Sequence, residues 1–489
     1  MHSMQDFVVL VYILALCILF AFGLHGLVMV YYYHKTKAFR HPPAEHPEEL
    51  PLVTIQLPLY NELYVVDRLI ESVCAMDYPK DKMEIQVLDD STDETVHATR
   101  ALVEEYRNRG FDIAYVHRVD REGYKAGALK HGMTTSRGEF IAIFDADFVP
   151  KPDFLKSTIA HFTHPRIGMV QTRWEHLNEE YSFLTRAQAL ALDGHFVIEQ
   201  QVRNKAGFFI NFNGTAGVWR KSCIIDAGNW QPDTLAEDLD LSFRAQLRGW
   251  KFVFLNDVTS PAELPADINS LKTQQFRWTK GAVEAALKLL PAVWKSPMPL
   301  RVKLEGTVHL TSNIVFPFIL VVAMLNIPMV LIKNLSEGRE YENLFTMMSI
   351  FVLASISTFL FYLHAQRAIH LDWRRRLLLF PVFLAGSMGL AVNNSKAVLE
   401  ALFGKKTEFK RTPKYRIVDT TDDWKTKKND LTKKIGIEVI IELALAAYFF
   451  VGICTSVYYK EIAAIPFQLM FLTGFATVGI MSLKHRLRS

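Results

Sequence analysis

The chain reads Phe140-Ile141-Ala142-Ile143-Phe144-Asp145-Ala146-Asp147 in its first third, an apolar run that ends in two carboxylates. A second run, Glu84-Ile85-Gln86-Val87-Leu88, is followed by Asp89-Asp90-Ser91. Short β-rich runs of this kind predict buried strands. Carboxylates that follow a buried strand are costly unless they meet solvent or a cation. Asp can also form a turn or cap a helix there, but two such pairs favour a shared site for a divalent metal and a nucleotide.

Strand-like and helix-like segments alternate around these two runs. The predicted strands are 53–57, 84–88, 113–116 and 140–144, and the predicted helices are about 64–76, 93–109 and 125–136. Such alternation predicts an α/β domain with a mostly parallel sheet, whose ligands bind beyond the carboxyl ends of the strands. Neither a G-x-G-x-x-G nor a Walker sequence is present, which argues against dehydrogenases and P-loop ATPases.

Composition indicates a membrane protein with a large water-soluble part. Hydrophobic residues make up 50% of the 489 residues and charged residues 22%, and the mean hydropathy is +0.10. A net charge of +4 is small for this length and argues against a nucleic-acid partner. The four cysteines are far apart, which excludes a cysteine zinc site and a disulfide framework.

Apolar segments that could cross a bilayer lie at both ends of the chain. Phe7 to Tyr33 is long enough for a retained anchor, and the basic residues that follow it place the next segment in the cytosol. Basic flanks on both sides of 377–394 indicate a re-entrant or in-plane segment, although a full crossing stays open. The remaining predicted spans are 308–333, 343–365, 436–458 and 463–483.

These patterns divide the chain into four parts. The parts are an N-terminal anchor over 1–40, a cytosolic catalytic domain over 50–280, amphipathic interface helices over 281–306, and a membrane bundle over 307–489 with a cytosolic loop at 395–435. We therefore expect a multi-pass integral protein that contacts the lipid bilayer, with its catalytic domain cytosolic and with the plasma (inner) membrane as its location.

An ordered set of motifs resembles the membrane-embedded family 2 glycosyltransferases, such as cellulose, hyaluronan and mannan synthase-like proteins. The motifs are Pro58-Leu59-Tyr60-Asn61-Glu62, Asp89-Asp90-Ser91, Gly123 to Leu129, Asp145-Ala146-Asp147, Glu237-Asp238 and Gln274-Gln275-Phe276-Arg277-Trp278. The resemblance implies a nucleotide-sugar-binding domain of the GT-A type, inserted in an α-helical membrane bundle. It also implies an inverting transfer from a nucleoside-diphosphate sugar, with UDP-glucose and GDP-mannose as the favoured donors.

The resemblance assigns a first group of residues to the donor. These are the pair Asp89 and Asp90, one or the other near the base and ribose, Lys125 near the base or phosphates, Asp145 and Asp147 on the nucleotide and its Mg²⁺ or Mn²⁺, and Gln274 and Arg277 of the last motif. Oxygen ligands suit Mg²⁺ and Mn²⁺ rather than zinc. The planar fork of Arg277 suits phosphate oxygens, although Arg277 with Trp278 could instead anchor a helix near lipid.

The acceptor hydroxyl needs a base, and Asp238, next to Glu237, is the candidate. Ala236 stands where the family's T-E-D motif has threonine. The acidic pair could also merely favour a helix dipole. For the acceptor sugar, the resemblance implies contacts from four residues, although Asn213-Gly214 could simply be a tight turn. The four are Phe212, Gly214, Thr215 and Trp278.

The segment that begins Phe409-Lys410-Arg411-Thr412 resembles the F-x-V-T gating loop of cellulose-type synthases, with Arg411 in place of valine. In this interpretation Phe409, Arg411 and Thr412 belong to a loop that closes over the nucleotide, and Arg411 and Lys414 add phosphate contacts. Alternatively, the loop is a basic surface attracted to anionic headgroups.

Three functions remain open from the residues. The first is a processive synthase that extends a β-linked polysaccharide and exports it. The second is a non-processive enzyme that glycosylates a membrane lipid, as ceramide glucosyltransferases do. The third is a catalytically inactive membrane scaffold, against which the joint presence of Asp89, Asp147, Asp238 and Arg277 argues.

Overall fold

The computed structural model describes residues 2–39, 44–45, 47–335, 342–424, 427 and 436–488. Within these ranges one mixed sheet forms the centre of the water-soluble domain. Its strands are β1 Val53–Leu59, β2 Met83–Asp89, β3 Asp112–His117, β4 Phe140–Ile143, β5 Ile167–His176, β6 Gly217–Arg220 and β7 Lys251–Ala262. The predicted strands and the α/β class are confirmed.

The strand order is β3-β2-β1-β4-β6-β5-β7. Strands β1 to β4 pair in parallel, whereas β6 is antiparallel to both β4 and β5. Ile143, near the end of β4, lies opposite Gly217 at the start of β6. The chain entering β6 therefore arrives at the edge where β1, β2 and β4 end, which brings residues 212–216 beside the acidic pair after β4.

Every residue of β2 and β4 is buried because helices cover both faces of the sheet. This explains why these strands read as nearly continuous apolar runs. The α-helices, in chain order, are α1 His2–Lys35, α2 Val66–Cys74, α3 Thr95–Asn108, α4 Tyr124–Met133, α5 Phe154–Ile159, α6 Phe183–Asp193, α7 Gln201–Ala206, α8 Lys221–Asp226, α9 Glu237–Leu247, α10 Ile268–Lys295, α11 Leu300–Thr311, α12 Val315–Leu335, α13 Glu342–Met347, α14 Val352–Ile369, α15 Trp373–Arg376, α16 Phe380–Gly389, α17 Ala391–Leu402, α18 Ile437–Tyr458 and α19 Ile465–Arg488.

Shorter helical turns connect these elements. Gly194–Gln200 is a π-helix between α6 and α7. The 3₁₀ turns are Lys80–Lys82, Glu179–Tyr181, Ser312–Ile314, Met348–Phe351, Leu377–Leu379 and Ile462–Ala464. The domain boundary predicted at 280 falls inside α10, because the buried face of this helix continues without a break to Val293.

The protein is a multi-pass membrane protein. Five helical segments of the described chain are long and apolar enough to cross a bilayer: Met4–Lys35, Leu300–Leu335, Met348–Ile369, Ile437–Tyr458 and Ile462–His485. The segment predicted to lie in plane belongs to a pair of helical stretches, Trp373–Gly389 and Ala391–Leu402, bent by 45°. A bend of this size fits a re-entrant segment or a broken span.

Small residues let the first membrane helix approach its neighbour closely. A Cβ on Gly23 would stand 2.6 Å from Cβ of Ala354, and one on Gly26 would stand 2.8 Å from the hydroxyl of Ser357. That hydroxyl donates to the carbonyl of Gly23 (2.6 Å) and accepts from the N–H of Leu27 (2.9 Å). Such small-residue contacts are how helices pack in lipid, and here they join α1 to α14.

Candidate active site

A cavity of about 180 Å³ lies at the carboxyl edge of β1, β2 and β4. Its walls also include the first turn of α9, the middle of α10 and the segment 409–414. Fourteen of the predicted site residues line it together. They are Asp90, Lys125, Asp145, Asp147, Gly214, Glu237, Asp238, Gln274, Arg277, Trp278, Phe409, Arg411, Thr412 and Lys414.

The two aspartates after β4 each face an ammonium group across the cavity. Lys125 Nζ donates to Asp145 Oδ1 (2.5 Å) and to the carbonyl of Gly214 (2.8 Å). Lys414 Nζ donates to Asp147 Oδ2 (2.5 Å). Each carboxylate thus forms an ion pair with a lysine at the end of a flexible stem.

This donor set fits a hard divalent cation, because both aspartates offer carboxylate oxygens to one cavity. Among the residues that the structure describes, no group of three or more His, Cys, Asp or Glu side chains is arranged to hold a metal. A cation at Asp145 and Asp147 would therefore take its remaining ligands from a bound diphosphate or from water.

Asp238 lies in the first turn of α9, directly beside the cavity. Its Oδ1 accepts from the N–H of Leu239 (2.8 Å). Its Oδ2 lies 3.0 Å from the position of a Cβ on Gly214, whose φ is +79°. Glycine at 214 thus both permits the turn and leaves space beside the carboxylate. Burial, and then the neighbouring carboxylate of Glu237, raise the pKa of Asp238 to about 7, while Lys125 opposes this shift.

Helix α10 brings Arg277 and Trp278 to the opposite wall. A Cβ on Gly281 would lie 2.7 Å from the backbone N of Ala236, so this glycine lets α10 approach the start of α9 closely. Arg277 donates to the hydroxyl of Thr412 (3.2 Å), and its guanidinium lies 4.4 Å from the ring centre of Phe409. Within the described chain Nε of Arg277 has no hydrogen-bond partner, so it can donate to an anionic ligand.

The side chain of Trp278 is 38% exposed beside the cavity, although Trp is usually well buried. Its ring centre lies 6.5 Å from that of Trp174 in a tilted arrangement. Trp174 in turn contacts Phe196 and Phe148. The exposed indole is therefore held by a rigid aromatic group and offers a flat face to a ligand.

The segment 409–414 covers the cavity with cationic and aromatic side chains. Arg411 pairs with Glu62 (3.4 Å), and Phe409 stacks on Tyr124 at 5.7 Å between ring centres. The N–H of Tyr415 donates to Glu263 Oε1 (2.9 Å). These contacts direct Arg411 and Lys414 to carboxylates of the cavity. The cavity is smaller than the roughly 300–1,000 Å³ of usual ligand pockets, so a ligand of usual size would require this segment to move.

Three of the predicted site residues do not line the cavity. Asp89 is fully buried and accepts from the hydroxyl of Tyr115 (2.8 Å) and the N–H of Ser91 (2.9 Å). Thr215 is also buried, and its hydroxyl accepts from the N–H of Asp145 (2.9 Å). Both side chains therefore hold neighbouring groups of the chain instead of lining the cavity.

The predicted contact between Phe212 and the acceptor needs correction, because this side chain packs into the core. Phe212 is fully buried, and its ring packs edge-on against Trp219 at 5.6 Å and near Trp230. The chain turns at Gly214, so the backbone reaches the cavity two residues later while the phenyl ring points into the core under the sheet.

Other cavity residues were not assigned from the sequence: Tyr60, Glu62, Arg121, Trp174 and Asn213. Tyr60 and Glu62 belong to the motif Pro58-Leu59-Tyr60-Asn61-Glu62, at the end of β1. Their position directly after a strand could have predicted that they line the site. Burial raises the pKa of Glu62 to about 8, although Arg411 and Lys414 lower it. Arg121 and Trp174 carried no local signal.

A hydrogen-bond network fixes Asn213. Its Oδ1 accepts from Gln200 Nε2 (2.6 Å), and its Nδ2 lies 3.0 Å from His195 Nε2. His195 Nδ1 lies 3.0 Å from Glu199 Oε2. The π-helix supplies Gln200, His195 and Glu199 to this network, which holds the turn that carries Gly214 beside Asp238.

Known proteins resemble the chain at the level of sequence. A family profile described as Glycosyl transferase family 21 matches residues 18–380, well over half of the chain. Glucomannan 4-beta-mannosyltransferase 1 of Oryza sativa subsp. japonica is 41% identical over 280 residues, which cover 55% of this chain and 53% of that protein. Glucomannan 4-beta-mannosyltransferase 2 of Arabidopsis thaliana is 41% identical over 274 residues, 54% and 51% respectively. The chain thus spans about half the length of the curated relatives it matches.

A solved structure shares the fold. The mannosyltransferase PcManGT from Pyrobaculum calidifontis, in complex with GDP-Man and Mn²⁺, superposes with a TM-score of 0.56 at 18% identity, covering 80% of this chain and 100% of that one. The predicted fold of the GT-A type and the resemblance to membrane-embedded β-glycosyltransferases are confirmed.

Proposed function

We propose that this chain, which belongs to glycosyl transferase family 21 and is a glycosyltransferase, transfers mannose from GDP-mannose to the growing end of a β-linked mannan or glucomannan. The names of the relatives in Oryza sativa and Arabidopsis thaliana support this acceptor and linkage. The complex of PcManGT with GDP-Man and Mn²⁺ supports the donor and the metal. The observation that carries the proposal is the convergence of Asp145, Asp147, Asp238 and Arg277 on one cavity.

In the proposed step Asp238 removes the proton from the acceptor hydroxyl. The hydroxyl oxygen forms a bond to the anomeric carbon while the bond from that carbon to the diphosphate oxygen breaks. The leaving GDP keeps the electron pair, and the proton stays on Asp238. Attack opposite the leaving group inverts the anomeric centre. Because residue 214 has no Cβ, which would stand 3.0 Å from Asp238 Oδ2, the acceptor oxygen could approach the carboxylate from this side.

The diphosphate gains negative charge as it leaves, and several side chains are placed to stabilise that charge. Arg277 offers an unused Nε donor, and Lys125 and Lys414 can transfer their hydrogen bonds from aspartates to phosphate oxygens. Mg²⁺ or Mn²⁺ held by Asp145 and Asp147 would supply further charge neutralisation without a proton transfer.

The acceptor chain would rest on Trp278, whose exposed indole face can stack on the apolar face of a pyranose. Gln274 lies one turn earlier on the same helix and also lines the cavity. We propose that the product passes from this point across the membrane through the helical bundle. In this proposal the catalytic domain lies in the cytosol, and the helical bundle lies in the plasma membrane.

The basic residues around the spans support this orientation. His34 and Lys35 lie in the last turn of α1, and Arg374 to Arg376 lie in α15, at the start of the first stretch of the bent helix pair. Arg40 and, within the predicted cytosolic loop, residues 425–426 and 428–435 fall outside the described residues. The four predicted domains remain part of this proposal.

We expect purified full-length protein in lipid nanodiscs to release GDP from GDP-mannose and to form a high-mass product that a β-mannanase degrades. UDP-glucose should give little UDP. The product is sized after labelled donor is added with Mn²⁺ or Mg²⁺. A product limited to one sugar on an extracted lipid would instead support the lipid-glycosylating alternative. Absence of nucleotide release from any common donor would support a scaffold role.

We also predict that turnover rises with pH and reaches half of its maximum near pH 7. Asp238 must be ionised to accept a proton, and its raised pKa leaves it protonated below that pH. Lys125 and Glu237 are the charged groups that face it. In Glu237→Gln the acidic limb should move to lower pH, because the neighbouring negative charge is removed. A pH profile of kcat that is flat from 5.5 to 8.5 would contradict the assignment.

A further inference from the structure

Where β1 and β2 end, the cavity is lined by Tyr60, Asp90 and Arg121. Arg121 lies on the loop before α4. Its guanidinium carbon stands 3.2 Å above the ring centre of Tyr60, 5.1 Å from that of Tyr124 and 6.0 Å from that of Phe409. The guanidinium is therefore surrounded by three aromatic rings, of which that of Tyr60 is the nearest.

The hydrogen-bonding capacity of Arg121 is unused. Within the described chain its guanidinium makes no hydrogen bond, and its Nε is buried without a partner. A buried donor without an acceptor costs about 1–3 kcal/mol, so this geometry suits an acceptor supplied by a ligand. A ligand with two adjacent acceptor atoms could pair with the N–H groups of this planar guanidinium.

Arg118, three residues earlier, provides an internal comparison. Its guanidinium binds Asp90 through Nε (2.8 Å) and Nη2 (2.5 Å), and it donates to the carbonyls of Glu122 (3.1 Å) and Tyr124 (3.0 Å). Arg118 thus fixes the loop that carries Arg121, so the unused guanidinium is held in place and is not simply exposed on a free side chain.

A planar base fits this position better than a phosphate. Four other cationic side chains line the cavity and could meet a diphosphate there, namely Lys125, Arg277, Arg411 and Lys414. The aromatic surroundings of Arg121 favour stacking on a flat ring. The arginine fork pairs with two adjacent acceptors of guanine, O6 and N7, whereas a pyrimidine such as uracil has no N7 to offer.

We propose that Arg121 binds the O6 and N7 edge of the donor's base and thereby selects guanine over uracil. This inference rests on the proposed use of a guanine nucleotide and adds to it the residue that determines base specificity. Arg121 would contribute to discrimination between donors and would not take part in the proton transfer.

The test measures binding of GDP, UDP and 7-deaza-GDP to purified full-length protein, with calorimetry at fixed Mn²⁺. We expect the wild type to bind GDP more tightly than UDP and more tightly than 7-deaza-GDP. In Arg121→Lys the affinity for GDP should fall by about 10- to 100-fold, in line with the 1–3 kcal/mol of a bidentate base contact. Affinities for UDP and 7-deaza-GDP should change by less than about threefold on the same scale.

Arg100→Lys is the matched control. Arg100 stands 5.3 Å above the ring of Tyr115, outside the cavity, so its substitution should leave all three affinities unchanged. An equal loss for GDP and UDP in Arg121→Lys would assign Arg121 to the phosphates and overturn the inference, as would an unchanged preference for GDP. A wild-type protein that prefers UDP would instead contradict the proposed donor, so the two failures are distinguishable.

Discussion

Replacement of Asp238 by Asn is expected to lower kcat by about 10²- to 10⁴-fold, the usual contribution of a general base. Asparagine keeps the size of the side chain and can still accept from the N–H of Leu239, the contact that orients Oδ1 at 2.8 Å. It cannot take up a proton from the acceptor hydroxyl. Binding of GDP should change by less than about threefold, because Asp238 faces the acceptor side near Gly214.

The measurement combines nucleotide release from GDP-mannose with calorimetric binding of GDP in the same preparation. Asp226→Asn is the matched control, since Asp226 is exposed at the end of α8, where it pairs with Arg248 and Trp250. It should retain normal turnover. If Asp238→Asn kept near-normal turnover, another group would have to be the base. If GDP binding failed together with turnover, Asp238 would belong to the donor site.

The strands and the acidic pairs could be predicted because both depend on short-range sequence patterns. Buried parallel strands read as continuous apolar runs, and the carboxyl ends of such strands share one edge of a sheet. Asp90, Asp145 and Asp147 therefore came together as expected. The antiparallel strand β6 was not anticipated, yet it delivers Gly214 and Thr215 to the same edge.

Contacts between distant segments could not be derived from local patterns. Lys414 reaches Asp147 across 267 positions of the chain, and Arg411 reaches Glu62 across 349. The motif resemblance pointed to this loop, but it did not say which carboxylates the loop contacts. Phe212 shows a different limit. The motif predicted a ligand contact for its ring, but the turn at Gly214 separates backbone and ring, and the ring packs in the core.

Replacement of Asp147 by Asn is expected to raise the Mn²⁺ or Mg²⁺ concentration that gives half-maximal binding of GDP-mannose by at least about 10- to 100-fold. Loss even of an outer-shell partner of a metal ligand typically weakens metal affinity by that factor. Asparagine preserves the shape of the turn after β4 but removes the charge that Lys414 balances in the structure. Turnover at low metal concentration should fall in parallel and recover partly at high concentration. The titration uses calorimetry with the full-length protein and increasing metal.

The exposed Asp81→Asn is the matched control and should bind metal and donor as the wild type does. Lys414→Met separates the two roles of Asp147, because it removes the ion pair with the loop but keeps the carboxylate. It should weaken donor binding while retaining the metal requirement. A wild-type metal requirement in Asp147→Asn would show that Asp147 only anchors the covering segment. If Asp147→Asn shifts the metal requirement and Lys414→Met does not, the cation binds Asp147. In the wild type, Lys414 and the divalent ion would then compete for the same carboxylate oxygens.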